Sequence, residues 1–117
     1  MYNQSIEFVS KIYQTCKLFP SAEKYGLVQQ IQKCAVSIPS NISEGCSRDS
    51  SKEFSRFIQI TIGSSFELET QLVISKNLNY LENFSLLNEL TVIQKQLNSL
   101  NQSILKSPKD YRLKTKD

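Results

Sequence analysis

Asn83-Phe84-Ser85-Leu86-Leu87-Asn88-Glu89-Leu90-Thr91-Val92-Ile93-Gln94-Lys95-Gln96-Leu97-Asn98-Ser99-Leu100-Asn101-Gln102-Ser103-Ile104-Leu105-Lys106 is the stretch that decides the fold. Leu86, Leu90, Ile93, Leu97, Leu100 and Ile104 follow one another in steps of 4, 3, 4, 3 and 4. Such a step pattern keeps one narrow apolar seam on one side of an α-helix, suited to packing at about 20° in a bundle. The spacing predicts a helix over 84–106, ended by Ser107-Pro108. A seam of this kind needs other helices to cover it.

The rest of the chain supplies them. Val9, Ile12, Tyr13, Cys16 and Phe19 recur at three and four residues, which predicts a first helix over 5–18, closed by Phe19-Pro20. A second helix is predicted over 27–44 from Leu27, Ile31, Cys34, Ala35, Ile38 and Ile42. Pro39 lies inside it, removing one backbone donor and orphaning the Ala35 carbonyl, so a kink is expected rather than a break. Ser37, Ser40 or Asn41 could satisfy freed backbone groups there. Gly45 reads as the stop. Ser50-Ser51-Lys52-Glu53 has the pattern of a capping box and opens a third helix predicted over 50–76. Four helices with short connections favour an all-α, antiparallel up-down-up-down four-helix bundle. The domain is expected over residues 1–106, followed by a basic, disordered tail over 107–117.

The third helix is apolar in more than one direction. Phe54, Ile58, Thr61, Ser65, Leu68 and Leu72 form one stripe, while Ile62, Phe66 and Val73 lie on another. A helix apolar on two sides is buried on two sides. A bundle this small covers one side, so Ile62, Phe66 and Val73 are candidate oligomer-interface residues. Gly63-Ser64-Ser65 would let a neighbour approach closely.

Composition narrows the chemistry. The 117 residues include no histidine, which removes Ser-His-Asp and Cys-His nucleophiles, histidine bases and mixed Cys/His zinc sites. Cys16, Cys34 and Cys46 contain no C-x-x-C pair. Their odd number, and an N-terminus without a basic-then-apolar signal layout, fit a cytoplasmic setting. No apolar run reaches the ~18 residues of a membrane span. Glu44, Asp49 and Glu53 could approach a hard cation near the second turn, but end charge and capping account for each of them. No catalytic residue, cofactor or metal is expected, and the chain is read as a non-enzyme.

The net charge of +3 resides in the tail, where Lys106, Lys109, Arg112, Lys114 and Lys116 face Asp110 and Asp117. Residues 1–105 balance nine basic groups against nine acidic ones. A binding face for RNA, DNA or a ribonucleoprotein must therefore come from clustering. Lys33, Arg48, Lys52 and Arg56 are the candidates, beside a polar row of Gln30, Lys33, Ser37 and Asn41. The competing reading is a protein-directed scaffold with no nucleic-acid ligand.

Several segments resemble one family in collinear order over 5–105. They are Phe19-Pro20 with Glu23-Lys24-Tyr25-Gly26-Leu27, Ala35-Val36-Ser37-Ile38-Pro39-Ser40-Asn41-Ile42-Ser43-Glu44-Gly45, and Ser51-Lys52-Glu53-Phe54 followed by Gly63-Ser64 and Glu67-Leu68-Glu69. They resemble the bacterial four helix bundle proteins, also called 23S rRNA intervening-sequence proteins. The resemblance implies a four-helix protomer in a ring-like homopentamer, and a gene that can lie within an insertion in a large-subunit ribosomal RNA gene. It also implies kinship with the accessory protein of diversity-generating retroelements, which resembles a basic barrel binding nucleic acid and a reverse transcriptase. No catalytic activity follows from it. Where members often carry two basic residues after Gln-Ile, this chain has Gln32-Lys33, which lowers the charge density of the second helix. Ser37, Pro39, Asn41, Glu44 and Gly45 are read as a helix-kink or interface motif.

Overall fold

The computed structural model describes residues 1–106, so the tail predicted over 107–117 lies outside the described residues. Among the described residues there are four α-helices: α1 (Tyr2–Cys16), α2 (Leu27–Cys46), α3 (Ser51–Asn77) and α4 (Ser85–Lys106). A single 3-10 turn, Ser21–Glu23, sits between the first two. There is no strand among the described residues.

The seam that predicted α4 faces the core. Leu86, Leu90, Ile93, Leu97 and Ile104 are buried, and Leu100 packs against the same cluster. The start of α4 is set by Asn83, whose Oδ1 accepts from the Ser85 amide at 2.9 Å. In α3 the stripe from Phe54 to Leu72 is buried throughout, and Ser50 caps the helix by accepting from the Glu53 amide at 3.1 Å. The core is joined by Ile31, Ala35, Ile38 and Ile42 of α2.

Two expectations are corrected. The first helix begins and ends earlier than 5–18, and its buried residues are Ser5, Phe8, Ile12 and Cys16, whereas Tyr13 is exposed. Tyr13 follows Ile12 by 100° on the helix, and the inward row passes through Phe8 instead. Gly45 does not stop α2. The helix continues to Cys46, and Gly45 has no positive φ. A Cβ built there would stand 2.9 Å from the Phe57 Cβ and 3.1 Å from the Phe54 ring, so the missing side chain is what lets α3 lie against α2. The third helix runs through Asn77, within one residue of the predicted end, before it turns. Asn79 adopts φ 65°, the Asn79 amide bonds to the Lys76 carbonyl at 3.0 Å, and the Tyr80 amide bonds to the Ser75 carbonyl at 2.9 Å. That pair of bonds is the Schellman arrangement, with asparagine rather than glycine in the left-handed position.

Pro39 is buried and α2 passes through it without a break. Two side chains bond to nearby carbonyls of the same helix: Ser37 Oγ donates to Cys34 O at 2.7 Å, and Asn41 Nδ2 donates to Ser37 O at 2.8 Å. Neither bond reaches the Ala35 carbonyl that Pro39 orphans, so they are local side-chain-to-backbone bonds beside the proline rather than replacements for the lost one.

Candidate functional site

The corner between α2 and α3 brings together three of the four candidate cations. Arg48 Nη2 meets Glu44 Oε1 at 2.9 Å, and Arg56 Nε meets Glu53 Oε2 at 2.9 Å. Both guanidinium groups also stand over the buried Phe57 ring, 4.7 and 4.9 Å from its centroid. Phe57 is thus enclosed by the Gly45 backbone and two arginines. Surface ion pairs of this kind contribute little stability, about 0–1 kcal/mol each, but they do cancel local charge. Lys52 is exposed beside them, while Lys33 lies farther along α2 and is also exposed. The structure therefore does not gather Lys33, Arg48, Lys52 and Arg56 into one bare basic patch.

Glu44 is exposed and turned to Arg48. It does not join Ser37 and Asn41, whose amide and hydroxyl serve the backbone around Pro39. Glu44, Asp49 and Glu53 do not form a cation site, and the described residues contain no group of three or more potential metal ligands.

The outer side of α3 leaves apolar side chains uncovered among polar ones. Phe66 is 52% exposed, Val73 42%, Ile60 42% and Ile74 43%. Ile62, the third residue of the predicted interface stripe, instead leans on the core. Ile60 and Ile74 stand seven residues either side of Glu67 and share its row, about 100° round the helix from the row of Phe66 and Val73. Gly63 lies among them, and a Cβ added there meets nothing within 4 Å. Its backbone is not demanded by packing within the chain.

The inner flank of α3 faces a cleft of about 240 Å³ against α2. Gln30, Lys33 and Ser37 come from α2, and Ser64, Glu67 and Gln71 from α3. Cys34 lies between them: its thiol donates to Glu67 Oε1 at 3.0 Å, and Gln71 Nε2 stands 3.5 Å from its sulfur. Burial, reinforced by the bond to Glu67, pushes the Cys34 thiol up to about 11. It is therefore a protonated donor at neutral pH, not a nucleophile. Three of the four residues of the polar row on α2 line this cleft, so the row is not a simple outward face.

Fold and surface together define a small all-helical bundle protein that carries paired charges at one corner and an uncovered apolar helix face. A family model described as the 23S rRNA-intervening sequence protein matches residues 1–99, and the chain belongs to that family. No curated protein matches it. None of the described helices is long and apolar enough to cross a membrane.

Proposed function

We propose that this protein is a non-catalytic, protein-directed scaffold that works as a homo-oligomer. Its helices run up-down-up-down and antiparallel, and copies close a ring through the outer side of α3. The helix directions are supported by paired contacts. Gly45 abuts Phe57 while Cys34 meets Glu67. Ser55 donates to Asn101 at 2.6 Å while Gln94 donates to Glu69 at 3.1 Å. A ring of five copies is what the family resemblance implies.

The observation that carries this reading is the exposure of Phe66 and Val73, seven residues apart on one face of α3. Contiguous apolar surface left wet is a mark of an interaction site. Burying it contributes roughly 25 cal/mol per Å² before the costs of association. Phe66→Glu should lower the molar mass seen by light scattering while leaving helical circular dichroism intact. An unchanged mass would contradict the assembly surface.

RNA or ribonucleoprotein binding is the second reading, and it rests on Lys33 and Lys52. Both are exposed, and neither has an ion pair among the described residues. In a ring each would recur in every copy, so modest charges would sum to a stronger field. Arg48 and Arg56 contribute less, being paired with Glu44 and Glu53. A gel-shift titration with structured RNA at low and high salt tests this reading. Binding that disappears in Lys33→Glu/Lys52→Glu would favour it, and no shift even at low salt would end it.

A further inference from the structure

We infer that the groove between α1 and α2 receives Phe66 and Val73 from α3 of a second copy of this chain. The inference rests on the assembly reading and deepens it: that reading names the outer side of α3, and the groove is the surface it meets.

Ring closure requires such a second surface. A patch that meets its own copy does so across a two-fold axis and stops at two chains. A ring of more copies needs two different patches on each chain, one fitting the other. Phe66 and Val73 belong to one of them. Both are exposed, and with half-buried Ile62 and exposed Thr70 they form a row on α3 that carries no charge. The row lies on the α4 side of α3, because Phe66 and Val73 stand three and four residues from Glu69, which accepts from Gln94 of α4.

The groove supplies the other. Tyr2, Ile6 and Val9 come from α1, Val36 and Pro39 from α2, and three serines complete a hollow of about 470 Å³. None of these residues is charged, although charged residues make up 21% of the chain. Tyr2, Ile6 and Val36 are exposed, so apolar surface is left wet here as it is around Phe66. A projecting phenyl ring thus meets a hollow of apolar carbons and hydroxyls, with no charge to desolvate on either side. The places of the two surfaces also fit. In the bundle α1 packs on α2 and α4, and α3 packs on the same two, so α1 and α3 occupy opposite corners. The groove and the Phe66 row therefore look in opposite directions, and one copy can hold a neighbour on each side at once. The bundle measures 47 × 22 × 20 Å, so each long side offers the ~800 Å² per partner of a standard interface.

Light scattering and circular dichroism of the full chain test the inference through three variants: Phe66→Glu on the row, and Ile6→Glu and Ser40→Arg in the groove. All three positions are exposed, so helicity should stay at the wild-type level. Each variant alone should fall to a single copy of 13.4 kDa. Mixing Phe66→Glu with either groove variant should then bring back pairs, because one chain keeps the groove and the other keeps the row. Such a pair, about twice 13.4 kDa, can grow no further. Mixing the two groove variants with each other should give none. A folded Ile6→Glu that keeps the wild-type mass while Phe66→Glu loses it overturns the inference and leaves the assembly reading standing; Ser40→Arg decides in its place if Ile6→Glu does not fold. Absence of pairs in the mixtures with Phe66→Glu at up to ~1 mM chain overturns it too. A wild type that is itself a single copy refutes the assembly reading, and this inference with it.

Discussion

Gly45→Ala separates close helix packing from helix propensity. In an ordinary helix this change stabilises by about 1 kcal/mol, because alanine loses less backbone entropy than glycine. At Gly45 the added methyl would stand 2.9 Å from the Phe57 Cβ and 3.1 Å from the Phe54 Cδ1. The Phe57 Cβ is fixed to the backbone of α3 and cannot swing away, so the two helices must separate. Overpacking of this kind costs about 1–3 kcal/mol. The balance is a net loss of about 1 kcal/mol, which for a domain near this size lowers Tm by about 4 °C or more. Gly63→Ala is the control, since its methyl meets nothing within 4 Å and should stabilise by about 1 kcal/mol. Thermal melts by circular dichroism would compare both variants with the wild type. Both should also be placed in a Phe66→Glu background, where subunit contacts at the outer face do not enter. If Gly45→Ala raises Tm as much as Gly63→Ala does, the close approach of α2 and α3 is not what the glycine provides.

Alkaline pH should destabilise the protein. Burial pushes the Cys16 and Cys34 thiols up to about 11, the bond to Glu23 raises Tyr80, and Glu89 raises Lys11. Each group holds its proton more tightly when folded, so its stabilisation is complete below the unfolded value and is lost as pH rises through the folded one. For the thiols that window runs from 9.0 to about 11. The urea midpoint should fall across it, and less steeply in Cys16→Ala/Cys34→Ala; equal slopes would show that the thiols are not responsible. Asn41→Ala removes the bond to the Ser37 carbonyl and should cost about 1 kcal/mol by urea titration, with oligomer mass unchanged. A shift in mass at constant stability would place Asn41 at a subunit boundary instead.

The residues of α4 and the core stripe of α3 were legible in the sequence because a seam repeated over six positions fixes both helix and face. The cap at Ser50 was legible for a similar reason, since its pattern is local. Gly45 was misread because a glycine near a helix end has the same local signature whether it ends the helix or admits a neighbour. Only the register of α3 against α2, which brings Phe57 to it, tells the two apart. The same register hid the cleft. Gln30, Lys33 and Ser37 read as a solvent face until Glu67 and Gln71 stand opposite. The charges of Arg48 and Arg56 were visible, but their cancellation depended on rotamers that turn them to Glu44 and Glu53.

Light scattering of the purified full chain, before and after nuclease treatment, tests the scaffold reading most directly. A mass several times 13.4 kDa that survives nuclease and falls in Phe66→Glu is the predicted result. A folded single copy of 13.4 kDa, with the outer side of α3 left in water, would contradict it.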